Sequence, residues 1–200
     1  MATKRVMDLA LGSFGLLVSL PILVAIRLWM LASGDRGPFL FRARRVGEGG
    51  RLMTVLKIRT MTPDAPGSAI TTAGDRRVTP VGRTLRRYRL DELPQLINVV
   101  RGEMSLVGPR PEDPAYVDFS NPDHRRVFAA RPGITGLAQL AFHDEAKLLS
   151  GADAERRYRD EILPAKVRLD LEYLDRRTTL LDARILVRTI GTVLGRAGAG

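Results

Sequence analysis

The sequence contains no cysteine, and histidine occurs only twice, at His124 and His143. Without cysteine the chain can form neither disulfide bonds nor thiolate metal sites, and it has no thiol nucleophile. Two histidines are too few for a typical zinc site built from several imidazoles. The lack of cysteine fits a reducing compartment.

Acidic residues are outnumbered, because 22 Asp and Glu stand against 32 Lys and Arg and give the 200-residue chain a net charge of +10. Ten basic and only three acidic residues fall within the first 60 positions, so that stretch alone carries +7. A basic surface favours polyanionic partners, which include nucleic acid, anionic lipid and phosphorylated small molecules. The length indicates one ordinary domain, and charge alone does not choose among the partners.

Charge is missing altogether from residues 9–26, which read LALGSFGLLVSLPILVAI. Four structures are compatible with such a run: a buried core helix, a cleaved signal peptide, a straight transmembrane helix, and a helix-break-helix hairpin that enters one leaflet and returns. Core helices rarely stay uncharged for this long, and the run exceeds the usual apolar segment of a signal peptide.

The residues within and beside this run favour the re-entrant hairpin. Pro21 lacks an N–H and its ring clashes with the carbonyl of Leu17, while the Ser19 hydroxyl can satisfy a freed backbone group. Basic residues flank the run on both sides, at Lys4, Arg5, Arg27 and Arg36. A spanning helix normally carries that excess on one side only. We therefore expect a break at Ser19–Pro21, with both flanks at the same membrane face.

The remainder of the chain predicts an α+β fold that is mostly helical. Residues 39–46 and 52–59 flank Gly47-Glu48-Gly49-Gly50, which is typical of a β-hairpin. Helical patterns occupy about residues 81–88, 91–100, 154–177 and 182–194. Pro164 is expected to kink the third of these helices, and the last two are amphipathic helices that we expect at the membrane interface.

The densest cluster of ionisable groups lies at residues 86–92, which read RRYRLDE. We expect Asp91 to be the N-cap of a helix that has Glu92 as its first residue and Pro94 in its first turn, where a missing N–H costs little. The helix dipole and the preceding arginines favour an ionised carboxylate, and an ionised, partly desolvated Asp can attack phosphorus to form an acyl phosphate. Helix capping alone is the common reason for such a pair, so its neighbours matter.

Four further cationic residues lie in segments that are suited to binding phosphate. Arg110 and Arg131 each lie in a loop stiffened by Pro and Gly, which can hold a guanidinium for bidentate phosphate contacts. Lys57 and Arg59 share one face of the predicted hairpin. The alternative interpretation is an ordinary surface ion pair for Arg110 and Arg131, and a solvated strand face for Lys57 and Arg59.

Four long motifs resemble those of the small monotopic polyprenyl-phosphate phosphoglycosyl transferases, also called bacterial sugar transferases. They are FRARRVGEGG at 41–50, KIRTM at 57–61, LDELPQLINVVRGEMSLVGPRPE at 90–112 and RPGITGLAQ at 131–139. The resemblance runs from about residue 4 to about residue 194. We expect one domain over residues 1–200, with a re-entrant membrane hairpin at 1–33, a cytosolic or interfacial catalytic part at 34–195 and a tail at 196–200.

The resemblance implies a ping-pong transfer of a sugar-1-phosphate from a UDP-sugar to undecaprenyl phosphate, the first membrane step of bacterial glycoconjugate synthesis. The family's nucleophile matches Asp91, which would attack the β-phosphate, release UMP and carry the phosphosugar. Its partner matches Glu92, with a role in proton handling or metal positioning. Family phosphate ligands match Arg86, Arg110, Arg131 and Lys57, and the family's membrane break matches Ser19 and Pro21. Mg²⁺ is the family cofactor, with Asp91 among its ligands.

The implied partners are the UDP-sugar, undecaprenyl phosphate and membrane lipids, and a homodimer is compatible with the sequence. The implied location is the cytoplasmic face of the bacterial inner membrane, in a monotopic arrangement. The alternative is a basic membrane-associated nucleic-acid-binding or scaffold protein without catalysis. We expect no nucleic-acid partner, because an Asp-Glu pair within the basic patch would repel phosphates and no nucleic-acid-binding motif is visible. The motifs do not name the sugar.

Overall fold

The computed structural model describes residues 2–63, 70–72, 74–149 and 153–197, and it confirms a mostly helical α+β protein. The helices are α1 (Ala2–Ala32), α2 (Pro80–Arg87), α3 (Gln95–Arg101), α4 (Pro122–Phe128), α5 (Leu137–Ala141), α6 (Glu145–Leu148), α7 (Ala154–Arg157), α8 (Leu163–Arg176) and α9 (Thr179–Ala197). The strands are β1 (Leu40–Val46) and β2 (Leu52–Ile58), which pair antiparallel, and β3 (Ser105–Val107) and β4 (Gly133–Thr135), which pair parallel. Of the predicted tail at 196–200, residues 198–200 lie outside the described residues.

Three apolar clusters hold these elements together. One joins α4, α7 and α8 around Val127, Phe128, Ala154, Leu163 and Val167. The second joins β2, α3, β3, α8 and α9 around Val55, Val99, Val107, Tyr173 and Ile185. The third joins α1 to β2 and α2 around Ile26, Met30, Ile58, Val81 and Leu85. The hairpin, α2 and α3 are therefore each fixed to a buried cluster.

The predicted β-hairpin is present, and its register places Phe41 directly opposite Lys57. Gly49 and Gly50 in the connection have φ values of 70° and 75°, a left-handed conformation that glycine adopts without a steric penalty. Side chains directly opposite in an antiparallel pair share one face of the sheet. Phe41 and Lys57 therefore point to the same side of the hairpin.

A buried amide joins the hairpin to α3. The Asn98 side chain accepts from the Leu56 N–H at 3.1 Å and donates to the Thr54 carbonyl at 2.8 Å. It also donates to the Glu103 carboxylate at 2.5 Å. Asn98 is 1% exposed, so water does not reach these backbone groups and the Asn98 amide satisfies them. The amide thereby fixes β2 against α3.

The segment around Asp91 differs from the prediction, because Asp91 is not the N-cap of an α-helix. Leu90–Glu92 forms a 3₁₀ turn, and α3 starts only after Pro94. Arg89 precedes the turn in a left-handed conformation, with φ 54° and ψ 22°, and its carbonyl accepts the Glu92 N–H at 3.2 Å. Pro94 has no N–H with which to continue these hydrogen bonds, so the helix begins late. A tight turn, and not a helix N-terminus, therefore positions the two carboxylates.

The helix predicted at 154–177 is present, but a π-helical turn takes the place of a simple kink. Tyr158–Ile162 forms this turn between α7 and α8, and Pro164 lies in the first turn of α8. The wider turn accommodates the missing N–H of the proline. The buried side chains of α8 are Leu163, Lys166, Val167, Asp170 and Tyr173. This face packs in the core, and the interfacial location of α8 and α9 stays a prediction.

α1 is one 31-residue helix, and its helical structure continues through Pro21. Residues Thr3–Ala32 are long and apolar enough to cross a membrane. Positions along its whole length are buried, at Asp8, Gly12, Ser19, Ile26 and Met30. They recur at intervals of four or seven residues, which is the spacing of one helix face. α1 therefore lies along the rest of the protein, and its re-entrant course, with the break at Ser19–Pro21, stays a prediction.

Polar contacts fix the start of α1 to the rest of the protein. Lys4 pairs with Asp182 on α9 at 2.6 Å. The Arg5 guanidinium donates to the Val99 carbonyl at the end of α3 at 2.7 Å. Asp8 is 1% exposed and accepts the Ser105 hydroxyl on β3 at 2.8 Å. Charged residues at the start of an apolar helix are thus satisfied by α3, β3 and α9.

Candidate active site

Asp91 lies in the 3₁₀ turn between α2 and α3 and is 8% exposed. Burial and the adjacent charge of Glu92 both raise its pKa, and the attraction of Lys57 and Arg86 offsets this only in part. Among the described residues, no cationic side chain forms an ion pair with Asp91 within 4.0 Å. The carboxylate is therefore desolvated without being neutralised by a structural salt bridge.

Glu92 has the opposite surroundings. Its carboxylate lies 3.7 Å from the Lys57 ammonium, 3.7 Å from the Arg89 guanidinium and 3.8 Å from the Arg110 guanidinium. Burial alone would raise the pKa of Glu92, but the three cations outweigh it and hold the pKa below its usual range. Glu92 is therefore ionised, and it is the common partner of three cations, from β2, the turn and the loop after β3. It is poorly suited to donating a proton at neutral pH.

Arg86 approaches the site from α2. Its Nε donates to Thr60 Oγ1 at 2.8 Å, and its Nη1 donates to Thr71 Oγ1 at 3.0 Å. The negative charge of Asp91 attracts the Arg86 guanidinium. Gly82 allows α2 to come this close, because a Cβ at that position would lie 2.2 Å from the Thr60 carbonyl oxygen. The sequence places a glycine where the helix that carries Arg86 touches the strand end.

These groups line one cavity of about 1630 Å³. The predicted site residues on its wall are Lys57, Arg59, Arg86, Asp91, Glu92 and Arg110. Cations from three separate elements thus converge on two adjacent carboxylates. Guanidinium and ammonium groups in a partly desolvated cavity favour a ligand with several negative charges, such as a diphosphate.

Two of the predicted phosphate ligands form ion pairs within the protein. Arg59 lies on the cavity wall, but its guanidinium pairs with Asp35 and donates to the Pro38 carbonyl at 2.7 Å. Arg131 is not among the residues that line the cavity, and its Nε donates to Glu48 at 3.0 Å. Arg131 thus forms the ion pair that was its alternative, whereas Arg59 is buried in an ion pair and does not lie on a solvated strand face. The role of both residues as phosphate ligands stays a prediction.

Arg89 was not predicted as a site residue, yet it contributes one of the three cations around Glu92. It is also the one non-glycine residue with positive φ in the described part of the chain. Such a conformation costs about 1–3 kcal/mol and is often found at functional sites. The left-handed conformation has no signature in the sequence, although the Arg-Leu-Asp-Glu spacing does bring the charges close.

A buried polar network behind Arg110 was also missed. The Tyr158 hydroxyl donates to Glu112 at 2.7 Å and accepts from Lys166 at 3.3 Å, and Lys166 pairs with Glu145 on α6. The carboxylates of Glu92, Glu145 and Glu112 outweigh burial and raise the pKa of Arg110. Glu112 is two residues from Arg110, but Glu145, Tyr158 and Lys166 come from α6, the π turn and α8, so no local motif could reveal these three.

The carboxylates fit a magnesium ion if substrate supplies further ligands. Within the described residues, no group of three or more His, Cys, Asp or Glu side chains could hold a metal by itself. Mg²⁺ commonly takes one or two carboxylates together with substrate phosphates and water. Asp91 offers a hard oxygen donor of this kind, while the Glu92 carboxylate is surrounded by cations. The donor set therefore fits Mg²⁺ bound together with a phosphorylated ligand.

The long apolar N-terminal helix is compatible with membrane association, and the cationic cavity around a buried carboxylate favours an anionic ligand. The chain belongs to the bacterial sugar transferase family, whose model matches residues 1–196. This confirms the resemblance seen in the motifs.

Three relatives in this family are named for transfers to undecaprenyl phosphate. The chain is 38% identical to a UDP-glucose:undecaprenyl-phosphate glucose-1-phosphate transferase of Caulobacter vibrioides, over 96% of this chain and 69% of the relative. It is 35% identical to a UDP-N-acetylgalactosamine-undecaprenyl-phosphate N-acetylgalactosaminephosphotransferase of Aeromonas hydrophila, over 98% of this chain and 44% of the relative. It is 39% identical to an undecaprenyl-phosphate glucose phosphotransferase of Komagataeibacter xylinus, over 95% of this chain and 35% of the relative. The chain thus spans less than half the length of the last two.

Proposed function

We propose that this protein is a phosphoglycosyl transferase that moves a sugar-1-phosphate from a UDP-sugar to undecaprenyl phosphate. Family membership and the names of its relatives support this reaction class. The observation that carries the proposal is the site itself: Asp91 is buried beside Glu92 in a cavity lined by Lys57, Arg86 and Arg110. Phosphoryl transfer depends mainly on positioning and charge stabilisation, which such an arrangement provides.

The proposed reaction has two displacements at phosphorus. An oxygen of the Asp91 carboxylate attacks the β-phosphorus of the UDP-sugar, and the bond from that phosphorus to the bridging oxygen breaks. UMP leaves with the electron pair, and the sugar phosphate stays on Asp91 as an acyl phosphate. A phosphate oxygen of undecaprenyl phosphate then attacks the same phosphorus. The bond to Asp91 breaks, which restores the carboxylate and yields the polyprenyl diphosphate sugar.

The residues around Asp91 have different electrostatic roles in the proposed reaction. Lys57, Arg86 and Arg110 reduce the repulsion between an anionic nucleophile and a diphosphate. Glu92 holds Lys57 and Arg110 at the cavity wall, which makes it a positioning group in this proposal. Arg59 and Arg131 keep their predicted phosphate contacts only if substrate displaces Asp35 and Glu48. Mg²⁺, held by Asp91 and the substrate phosphates, would neutralise charge that develops on the leaving phosphate.

We place the protein at the cytoplasmic face of a bacterial inner membrane, as a monotopic protein. Support comes from the apolar helix α1, which has one face on the rest of the protein while Phe14, Leu17 and Leu28 are more than 60% exposed. Such a surface is stable in lipid and unfavourable in water. This seating brings the cavity close to the bilayer, where the acceptor's phosphate is found.

A nucleotide assay tests the proposal and its main enzymatic alternative. The purified protein is mixed with undecaprenyl phosphate, Mg²⁺ and each of a panel of UDP-sugars. We expect release of UMP with at least one sugar, and a mass increase on Asp91 that equals the sugar phosphate when the acceptor is omitted. Release of UDP would indicate cleavage at the sugar–oxygen bond instead. The absence of UMP with every sugar, with salt-sensitive retention on DNA, would favour the nucleic-acid-binding alternative.

A further inference from the structure

Two exposed apolar side chains line the same cavity as Asp91. Leu40 is 37% exposed and Phe41 is 52% exposed, and both belong to the cavity wall. Phosphate-binding cations gain nothing from an apolar neighbour that remains in contact with water. We call Leu40 and Phe41 the apolar lip.

The hairpin register puts Phe41 of the apolar lip beside Lys57, one of the proposed phosphate ligands. Phe41 lies directly opposite Lys57, so both side chains share one face of the sheet with their Cβ atoms about 5 Å apart. Lys57 in turn lies 3.7 Å from Glu92. A ligand with its phosphate at Lys57 therefore has an apolar surface at the point where the rest of its chain must leave.

The apolar lip is joined to α1 through Phe39. Phe39, the residue before β1, packs against the cluster that contains Ile26 and Met30 of α1. Phe39 and Phe41 are two positions apart on an extended chain, so their side chains share one face. Apolar side chains thus follow one another from the end of α1 to the cavity that holds Asp91.

We infer that the apolar lip is where the polyprenyl chain of the acceptor enters the cavity, with its phosphate at Lys57 and its chain passing over Leu40 and Phe41 toward α1. This inference rests on the proposed function. The charge of Lys57 matches the phosphate, and the exposed side chains match the hydrocarbon. The uracil ring of a UDP-sugar can also stack on an aromatic side chain, so the donor KM must be measured beside the acceptor KM.

The two half-reactions separate this inference from a general loss of activity. Phe41→Ala is compared with the parent for the KM of undecaprenyl phosphate, the KM of the UDP-sugar and the UMP released without acceptor. We expect about a tenfold rise in the acceptor KM, since the variant loses much of an aromatic contact area. The donor KM and the acceptor-free UMP should stay within about twofold. Phe41→Leu should recover most of the acceptor affinity.

Leu52→Ala is the matched control, because Leu52 lies at the far end of the same hairpin, is 53% exposed and is not among the cavity residues. It should leave all three quantities unchanged. A rise in the donor KM or a loss of acceptor-free UMP in Phe41→Ala would overturn the inference, and so would an unchanged acceptor KM. If the parent releases no UMP with any sugar, the proposed function fails, and that result is distinct from these.

A crosslinking experiment tests the contact without turnover. The Asp91→Asn protein carries Phe41→p-benzoylphenylalanine and is illuminated with undecaprenyl phosphate in phosphatidylglycerol vesicles. We expect a covalent adduct with undecaprenyl phosphate even when phosphatidylglycerol is in large excess. An adduct with phosphatidylglycerol alone would show that the lip is only a surface seated in the membrane, and it would overturn the inference.

Discussion

Asp91 and Glu92 are neighbours in sequence, but their charges have opposite effects on stability. Burial and Glu92 raise the pKa of Asp91, whereas three cations lower the pKa of Glu92. We predict that Asp91→Asn leaves the protein as stable or makes it about 1 kcal/mol more stable, because it removes a buried charge. Glu92→Gln should cost about 3 kcal/mol, because it leaves three cations without their common partner.

Thermal unfolding in detergent at neutral pH, without substrate, measures both variants. Both should lose most UMP release, since one removes the proposed nucleophile and the other displaces Lys57 and Arg110. A shift of the two unfolding temperatures in the same direction would contradict this account of the pair. Activity alone would not distinguish the roles, and the stability comparison does.

A second residue-scale prediction concerns Asp170, which is 4% exposed on α8. Burial raises its pKa to about 7, although the Arg110 backbone N–H and the Lys166 charge act in the other direction. Glu112 adds to the rise, and the Arg110 charge opposes it. Because this folded-state pKa lies above that of the unfolded chain, the folded state binds the proton more tightly. The contribution of Asp170 to stability is therefore complete below about pH 4 and is lost as the pH rises through about 7.

Asp170→Asn should remove this loss. We predict that the stability of the variant relative to the parent increases as the pH rises from 5 to the folded-state pKa, by roughly 1.4 kcal/mol for each pH unit. Above that pKa, up to pH 8, the difference should stay constant. Unfolding temperatures of both proteins across this range provide the measurement. A difference that stays constant with pH would show that Asp170 does not titrate with folding.

At the residue scale, the site could be predicted where its chemistry lies in one short motif. Asp91, Glu92 and Arg86 lie within seven positions, so charge and spacing indicate a cluster there; the family resemblance supplies their roles, which stay predictions. Arg59 and Arg131 show the limit of this reasoning, because their partners, Asp35 and Glu48, are distant in sequence. A sequence pattern identifies a cation, but it does not show which anion the fold brings to it.

At the scale of helices and strands, an element could be predicted when the interactions that determine it are local in sequence. The β1–β2 hairpin and α2 follow from turn residues and periodicity within a few positions, and both were predicted. The parallel pair of β3 and β4 was not, because strands of three residues have no periodicity and their pairing depends on tertiary packing. The late start of α3 was missed for a similar reason, since it combines the missing N–H of Pro94 with a left-handed backbone at Arg89 that has no sequence signature.

The start of α1 gives an element-scale prediction. Asp8 accepts the Ser105 hydroxyl at 2.8 Å and the Leu106 N–H at 3.0 Å, so Asp8→Ala leaves two buried donors without an acceptor. We expect a loss of about 2–4 kcal/mol in stability and faster hydrogen exchange in β3. Glu161→Ala is the control, because its side chain is 61% exposed and its removal should cost less than about 0.5 kcal/mol. Equal effects of the two changes would mean that the Asp8 contacts do not hold α1.

At the scale of the whole molecule, α1 has enough length to span a bilayer and yet is attached at both ends to the same body. A 31-residue helix is about 46 Å long, against a hydrocarbon core of about 30 Å. Its start contacts α3, β3 and α9, and its end packs with β2 and α2. If α1 crossed the membrane, its start and its end would lie on opposite sides of the bilayer. Both ends, however, are packed against the same folded part of the protein.

Both ends of α1 should therefore be reachable from the cytoplasm, and the lack of native cysteine makes this simple to test. Thr3→Cys and Ser33→Cys each introduce one thiol at an exposed position. An impermeant maleimide should label both in inverted inner-membrane vesicles and neither in intact spheroplasts, and labelling from opposite sides would establish a spanning helix.

Adding Pro21→Ala to Thr3→Cys distinguishes two reasons for a cytoplasmic start of α1: a break at Pro21, or the contacts of the start of α1 with the rest of the protein. If a break at Pro21 alone returns the chain, Thr3→Cys becomes reachable from the periplasm. Because Lys4, Arg5 and Asp8 hold the start of α1, we expect it to stay cytoplasmic.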